Sequence, residues 1–125
     1  MKLYTSYFAR VKKLQELGYD NLVCIAGYAP KWFQDCDFIR FFPSLAPRKS
    51  WWKEWHDNNL GNDWYEKQYY DTVLSKLNPN DVLEKLGDNA VMLCYEKPGD
   101  FCHRHLVANW LKTNTGVNVE EVDFG

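Results

Sequence analysis

Two short runs constrain the fold more than anything else in the sequence. They are Asn21-Leu22-Val23-Cys24-Ile25-Ala26 and Ala90-Val91-Met92-Leu93-Cys94-Tyr95. Both are apolar without alternation. A strand with one wet face alternates; a strand covered on both faces does not. Helical spacing surrounds them, in Tyr7, Val11, Leu14 and Leu17, then Tyr65, Tyr69, Val73 and Leu77, then Val82, Leu83 and Leu86. A further helix is predicted over residues 102–112. Shorter strands are expected over residues 2–5 and 117–122. Strands alternating with helices build a parallel sheet with helices packed on it. The expected fold is therefore α/β: one small domain over residues 1–125, with a mostly parallel sheet flanked by helices.

Local signals place the helix ends. Gly18 follows the first helix, where a left-handed residue without Cβ suits the stop. Asn78 can cap another helix, with Pro79 in its first turn, Asp81 near its positive end and Gly87 closing it. Between residues 27 and 63 the pattern fades. That stretch holds Pro30, Pro43 and Pro47, and five of the six tryptophans lie in it or at its edge: Trp32, Trp51, Trp52, Trp55 and Trp64. A connection this long in a small domain is expected to be a lid or binding loop, with short helical turns near residues 31–33 and 50–56.

Composition removes several classes of function. No apolar run approaches the roughly 20 residues of a membrane span, so no membrane partner is expected. The first residues lack the apolar core of a secretory signal, which predicts a cytoplasmic chain. Cysteines 24, 36, 94 and 102 are then expected as thiols rather than as a disulfide framework. The net charge of −2 argues against a protein that coats nucleic acid non-specifically. A local surface for single strands survives as an alternative: Arg40, Arg48, Lys49 and Lys53 are interleaved with Phe41, Phe42, Trp51, Trp52 and Trp55. The same aromatics would serve as anchors of a protein interface.

In parallel sheets ligands sit beyond the carboxyl ends of the strands. That rule selects the segments after Ala26 and after Cys94. The second reads Cys94-Tyr95-Glu96-Lys97-Pro98-Gly99-Asp100-Phe101-Cys102-His103-Arg104-His105. A helix starting near Cys102 presents free N–H groups and the positive end of its dipole. Cys102, His103 and Glu96 are the candidate catalytic residues: a thiol whose pKa is lowered there, and two groups able to move a proton. Arg104 is the candidate anion fork, and it can equally pair with Glu96 or Asp100. Lys31, Trp32 and Cys94 complete the expected ligand site. His103 begins the core-facing stripe of Leu106, Val107 and Trp110, whereas His105 lies on a more exposed side. The ligand expected is a small anionic molecule or nucleotide.

The atoms of Cys94, Cys102, His103 and His105 also suit zinc. The spacing C-x7-C-H-x-H is not a standard structural pattern, and adjacent ligands on a helix diverge. No metal and no cofactor is therefore expected. A Cys94–Cys102 disulfide is geometrically allowed, but a reducing compartment argues against it. The stretch is not a phosphatase loop either, because Asp100 stands six after Cys94, where that loop needs arginine.

The motif Leu93-Cys94-Tyr95-Glu96-Lys97 followed by Cys102-His103-Arg104 and the apolar helix through Leu106, Val107, Ala108 and Leu111 resembles the domain of unknown function 488 family of bacterial and phage proteins. Tyr4-Thr5-Ser6-Tyr7-Phe8-Ala9, Ala29-Pro30-Lys31-Trp32-Phe33 and Leu45-Ala46-Pro47 extend the similarity over nearly the whole chain. The resemblance implies a compact α/β domain with a site at Cys94, Glu96, Cys102, His103 and Arg104. That family often carries an arginine after the second strand. Here Cys24-Ile25-Ala26-Gly27-Tyr28 stands there without one, leaving Lys31 or Arg40 as substitutes.

Overall fold

The computed structural model describes residues 1–27, 39–95 and 102–124. Five strands are described: β1 Lys2–Tyr7, β2 Leu22–Cys24, β3 Ile39–Phe41, β4 Val91–Cys94 and β5 Asn118–Glu121. They form one sheet in the order β3-β2-β4-β1-β5, and every pairing is parallel. The α-helices among the described residues are α1 Val11–Glu16, α2 Lys49–Asp57, α3 Asn62–Thr72, α4 Pro79–Leu86 and α5 His103–Thr115. The fold is α/β, as expected, and none of these helices is long and apolar enough to cross a membrane.

The two apolar runs become β2 and β4, buried throughout. Their residues divide between two cores. Phe8, Val11 and Leu14 of the α1 side meet Leu22, Cys24, Val91 and Leu93 on one face. Leu106, Val107, Trp110 and Leu111 of α5 meet Leu3, Val23, Ile25, Met92 and Val119 on the other. This split follows from chain direction. The connection from β1 to β2 runs toward the β3 edge, and that from β4 to β5 runs toward the opposite edge. Right-handed crossovers in opposite directions put their helices on opposite faces. The chain therefore diverges at the carboxyl ends of the neighbours β1 and β4, where such sheets hold their ligands.

The helix punctuation holds. Gly18 and Gly87 take positive φ, +93° and +79°, and the Asn78 side chain accepts from the Asn80 amide at 2.9 Å. Between residues 27 and 63, however, the described residues are not one long loop. They contain β3, a 3-10 turn over Pro43–Leu45 and all of α2. Strand β3 is too short to show a period in sequence. The predicted turn at residues 31–33 lies outside the described residues.

Much of the aromatic content is core. Trp51 is buried, packs edge-on to Tyr65 at 5.0 Å and donates to Thr72 Oγ1 at 2.8 Å. Tyr69 is buried, and its hydroxyl donates to the Leu45 carbonyl. Arg40 is likewise committed. It donates to Asn21 Oδ1 and to the carbonyls of Lys85 and Leu86, satisfying the last turn of α4. It is thus a clamp between β3 and α4. Arg40→Ala should lower stability by about 1 kcal/mol, the net value of exchanging such bonds for water. Urea denaturation checks this; an unchanged midpoint would show that the clamp is idle.

Candidate functional site at the carboxyl edge of the sheet

Side-chain alternation aims a set of groups at α5. Val23, Met92 and Val119 face that helix, so residues two further on face it as well. Those residues are Ile25, Cys94 and Glu121. Thr5 and Tyr7 follow Leu3 on β1 by the same rule. The N-terminus of α5 arrives above them, bringing Cys102, His103 and Arg104.

Arg104 is fully buried. Its Nε and Nη2 donate to the two carboxylate oxygens of Glu121, each at 3.1 Å, a bidentate pair. Its Nη1 lies 3.1 Å from Cys94 Sγ, and its guanidinium carbon is 5.9 Å from the centre of the Tyr7 ring. Thr5 Oγ1 donates to Glu121 Oε1. Glu121 was not predicted as a site residue. The available signal was its place two residues beyond buried Val119 at the end of a strand. The expected partners Glu96 and Asp100 lie outside the described residues, as do Lys31 and Trp32.

His103 is buried, and its Nε2 sits 2.7 Å from the Ile25 carbonyl oxygen. A carbonyl only accepts, so Nε2 carries hydrogen. Nδ1 then faces Cys102 Sγ at 3.8 Å. Burial pushes the His103 pKa down to about 4, with the charges of Arg104 and His105 adding to the effect and the Ile25 carbonyl opposing it. The imidazole is neutral at pH 7. Its ring leans on Tyr69, centroids 5.5 Å apart, which ties it to the aromatic core.

Cys94 and Cys102 are joined as a disulfide. This corrects the expectation of free thiols at these positions. The reason is local: Cys102 precedes the helix as its N-cap, with extended backbone at φ −150° and ψ 144°. Its side chain therefore swings back to the end of β4 instead of following the helical screw. The same geometry removes the objection that Cys102 and His103 must diverge. Their ligand atoms and that of Cys94 lie within 4.8 Å of one another. His105 stays outside this group, on the exposed side of α5. Cys24 is a buried free thiol, its pKa raised by burial, and belongs to the opposite core.

A family model described as the active DUF488-N3 subclade (DUF488-N3a) matches residues 6–115. The chain belongs to the DUF488 family. The matched span runs from the end of β1 through α5, so it contains Cys94, Cys102, His103 and Arg104, while Glu121 lies beyond it. No curated protein and no solved structure matches the chain.

Among the described residues of the DUF488 domain, two clefts lie at this edge. One, of about 410 Å³, is lined by Tyr7, Arg10, Lys13, Glu121, Asp123 and Phe124. The other, of about 360 Å³, is lined by Gly27, Pro47, Lys49, Trp52, Lys53 and Asp57. Gly27 stands two residues beyond Ile25, the residue that holds His103, so at most about 7 Å of chain separates the second cleft from that carbonyl.

Two measurements test this arrangement. Glu121→Ala removes a bidentate partner from a buried guanidinium and should cost about 3 kcal/mol. Glu120→Ala, which breaks the exposed pair with Lys2 and an exposed hydrogen bond from Asn118, should change little. Equal denaturation midpoints for the two variants would contradict the buried pairing. The second measurement is pH-dependent. An unfolded histidine titrates near pH ~6.5, so between that value and about 4 the unfolded chain binds the extra proton. His103 therefore contributes stability in full above ~6.5 that is lost as pH falls through 4, roughly 3 kcal/mol in all. Imidazole ¹⁵N shifts should show His103 as the neutral Nε2–H tautomer at pH 6; titration near 6.5 would contradict it.

Proposed function

We propose that this DUF488 domain is a small enzyme acting on an anionic, nucleotide-like molecule at the carboxyl edge of its sheet. The observation carrying the proposal is the convergence of two sulfurs and an imidazole lone pair beside the point where the chain diverges. Cys102 and His103 are the catalytic groups in this reading, with Cys94 as their partner. They act as thiols and imidazole, so the disulfide form is the resting one. Arg104 supports them from within: its cation is balanced by Glu121, and its N–H on Cys94 favours sulfur as thiolate.

Charge and shape favour the cleft beside Gly27 as the ligand's seat. There Lys49 and Lys53, one turn apart on α2, outnumber Asp57 beside the partly exposed ring of Trp52. A flat base fits against an indole, and a phosphate fits against two ammonium groups. In the other cleft two cations meet two carboxylates. The single-strand alternative loses two of its groups, because Arg40 clamps α4 and Trp51 is core.

Adenosine 5′-monophosphate should quench the tryptophan fluorescence of the reduced protein, saturably and less strongly at high salt. Lys49→Ala with Lys53→Ala should weaken that binding at least about tenfold, the loss expected for more than 1.4 kcal/mol. Absence of a saturable signal with each of the common nucleoside monophosphates would remove the reading. Salt-sensitive binding of oligonucleotides alone would favour the single-strand alternative.

A further inference from the structure

The three atoms at the end of β4 and the start of α5 are an unusual set to bury together. They are two cysteine sulfurs and a histidine nitrogen, all within 4.8 Å. We propose that, when the disulfide is reduced, Cys94, Cys102 and His103 hold a zinc ion. With zinc bound these three groups are ligands and no longer a free thiol pair and imidazole, so the metal form replaces the catalytic roles given above; it stands whether or not a nucleotide binds.

The donor types come first. Two thiolates and an imidazole are the soft nitrogen–sulfur set that zinc takes. The histidine is also presented correctly. Its Nε2–H is spent on the Ile25 carbonyl, which fixes the ring and leaves the Nδ1 lone pair toward the sulfurs. Histidines that bind metals are held in this way, by a carbonyl or carboxylate on the far nitrogen. A tetrahedral zinc site sets its donors about 3.5–3.8 Å apart. Nδ1 and Cys102 Sγ already stand 3.8 Å apart, and reduction lets the two sulfurs separate.

Electrostatics agree. One zinc ion neutralises two thiolates. Arg104 and Glu121 neutralise each other alongside, so the described charges around the ion balance. Arg104 Nη1 supplies an N–H to the Cys94 sulfur, a contact that steadies a metal-bound thiolate. Among the described residues three groups supply ligand atoms, and a fourth atom, from water or another ligand, completes the tetrahedron.

The chemistry balances in two steps. A dithiol reductant gives two electrons and two protons to the disulfide and itself closes to a disulfide. Zinc then displaces the two thiol protons and forms two Zn–S bonds and one Zn–N bond. Oxidation and metal binding therefore exclude each other.

The test uses the full chain, reduced with a dithiol that is then removed without air. Titration with cobalt(II) should give one ion per chain, with thiolate charge-transfer absorption and the intense visible bands of a tetrahedral site. Zinc should displace it, and the disulfide form should bind none. In the same wild-type protein, zinc should slow alkylation of Cys94 and Cys102 by at least about tenfold, a readout that needs no variant to fold. Cys102→Ser should weaken cobalt binding about a hundredfold. No uptake by the reduced chain, a weak octahedral spectrum, or alkylation of both cysteines at an unchanged rate would each overturn the site. A reduced chain that binds nucleotide but no cobalt overturns the metal and leaves the ligand reading intact.

Discussion

A guanidinium with no exposure to water sets the terms for this fold. Arg104 enters at the first turn of α5, and its charge must be met inside the protein. Glu121 meets it from the end of β5, 17 residues later in the chain. Thr5 on β1 holds Glu121, and the sulfur of Cys94 on β4 accepts from Nη1 of the guanidinium. Three neighbouring strand ends and one helix start are thereby fastened at a point. Breaking such a pair from one side is costlier than the pair is worth, because it strands a buried charge. The pair thus specifies the register of the helix over the sheet more than it stabilises the chain.

That fastening also explains why the cysteines and the histidine meet. With α5 held by Arg104, the residue before it is fixed over Ile25 and the one before that over the end of β4. The aromatic core supports the same spot from below. Trp51 packs on Tyr65, Tyr65 on Tyr69, and Tyr69 on the His103 ring. The tryptophan-rich stretch therefore contributes twice. Trp51 builds the floor, and Trp52, one residue on, lines an open cleft.

Much of this was legible in sequence, and what was missed has physical causes. The apolar runs of β2 and β4, the Asn78 and Gly87 stops of α4 and the stripe of α5 are local patterns, and local patterns survive folding. Strand β3 is three residues, too short for its alternation to register as a period, so it leaves no trace. Glu121 carries no local mark of function; only the sheet order brings β5 beside β1 and under Arg104. A reducing compartment argues against the Cys94–Cys102 bond, whereas the bond depends on the backbone angle of one residue. Helical and extended placements of Cys102 look identical in sequence, yet only the extended one turns the sulfur to the strand.

The sheet ends in two very short margins. Among the described residues, β3 forms a three-residue edge on one side, with an arginine folded back onto α4, and β5 a four-residue edge on the other, with Asn118 and Glu120 exposed. An incoming strand would find few backbone groups to bond and charged side chains beside them. Such rims make the domain a poor template for edge-to-edge aggregation, even though its centre is built from uninterrupted apolar strands.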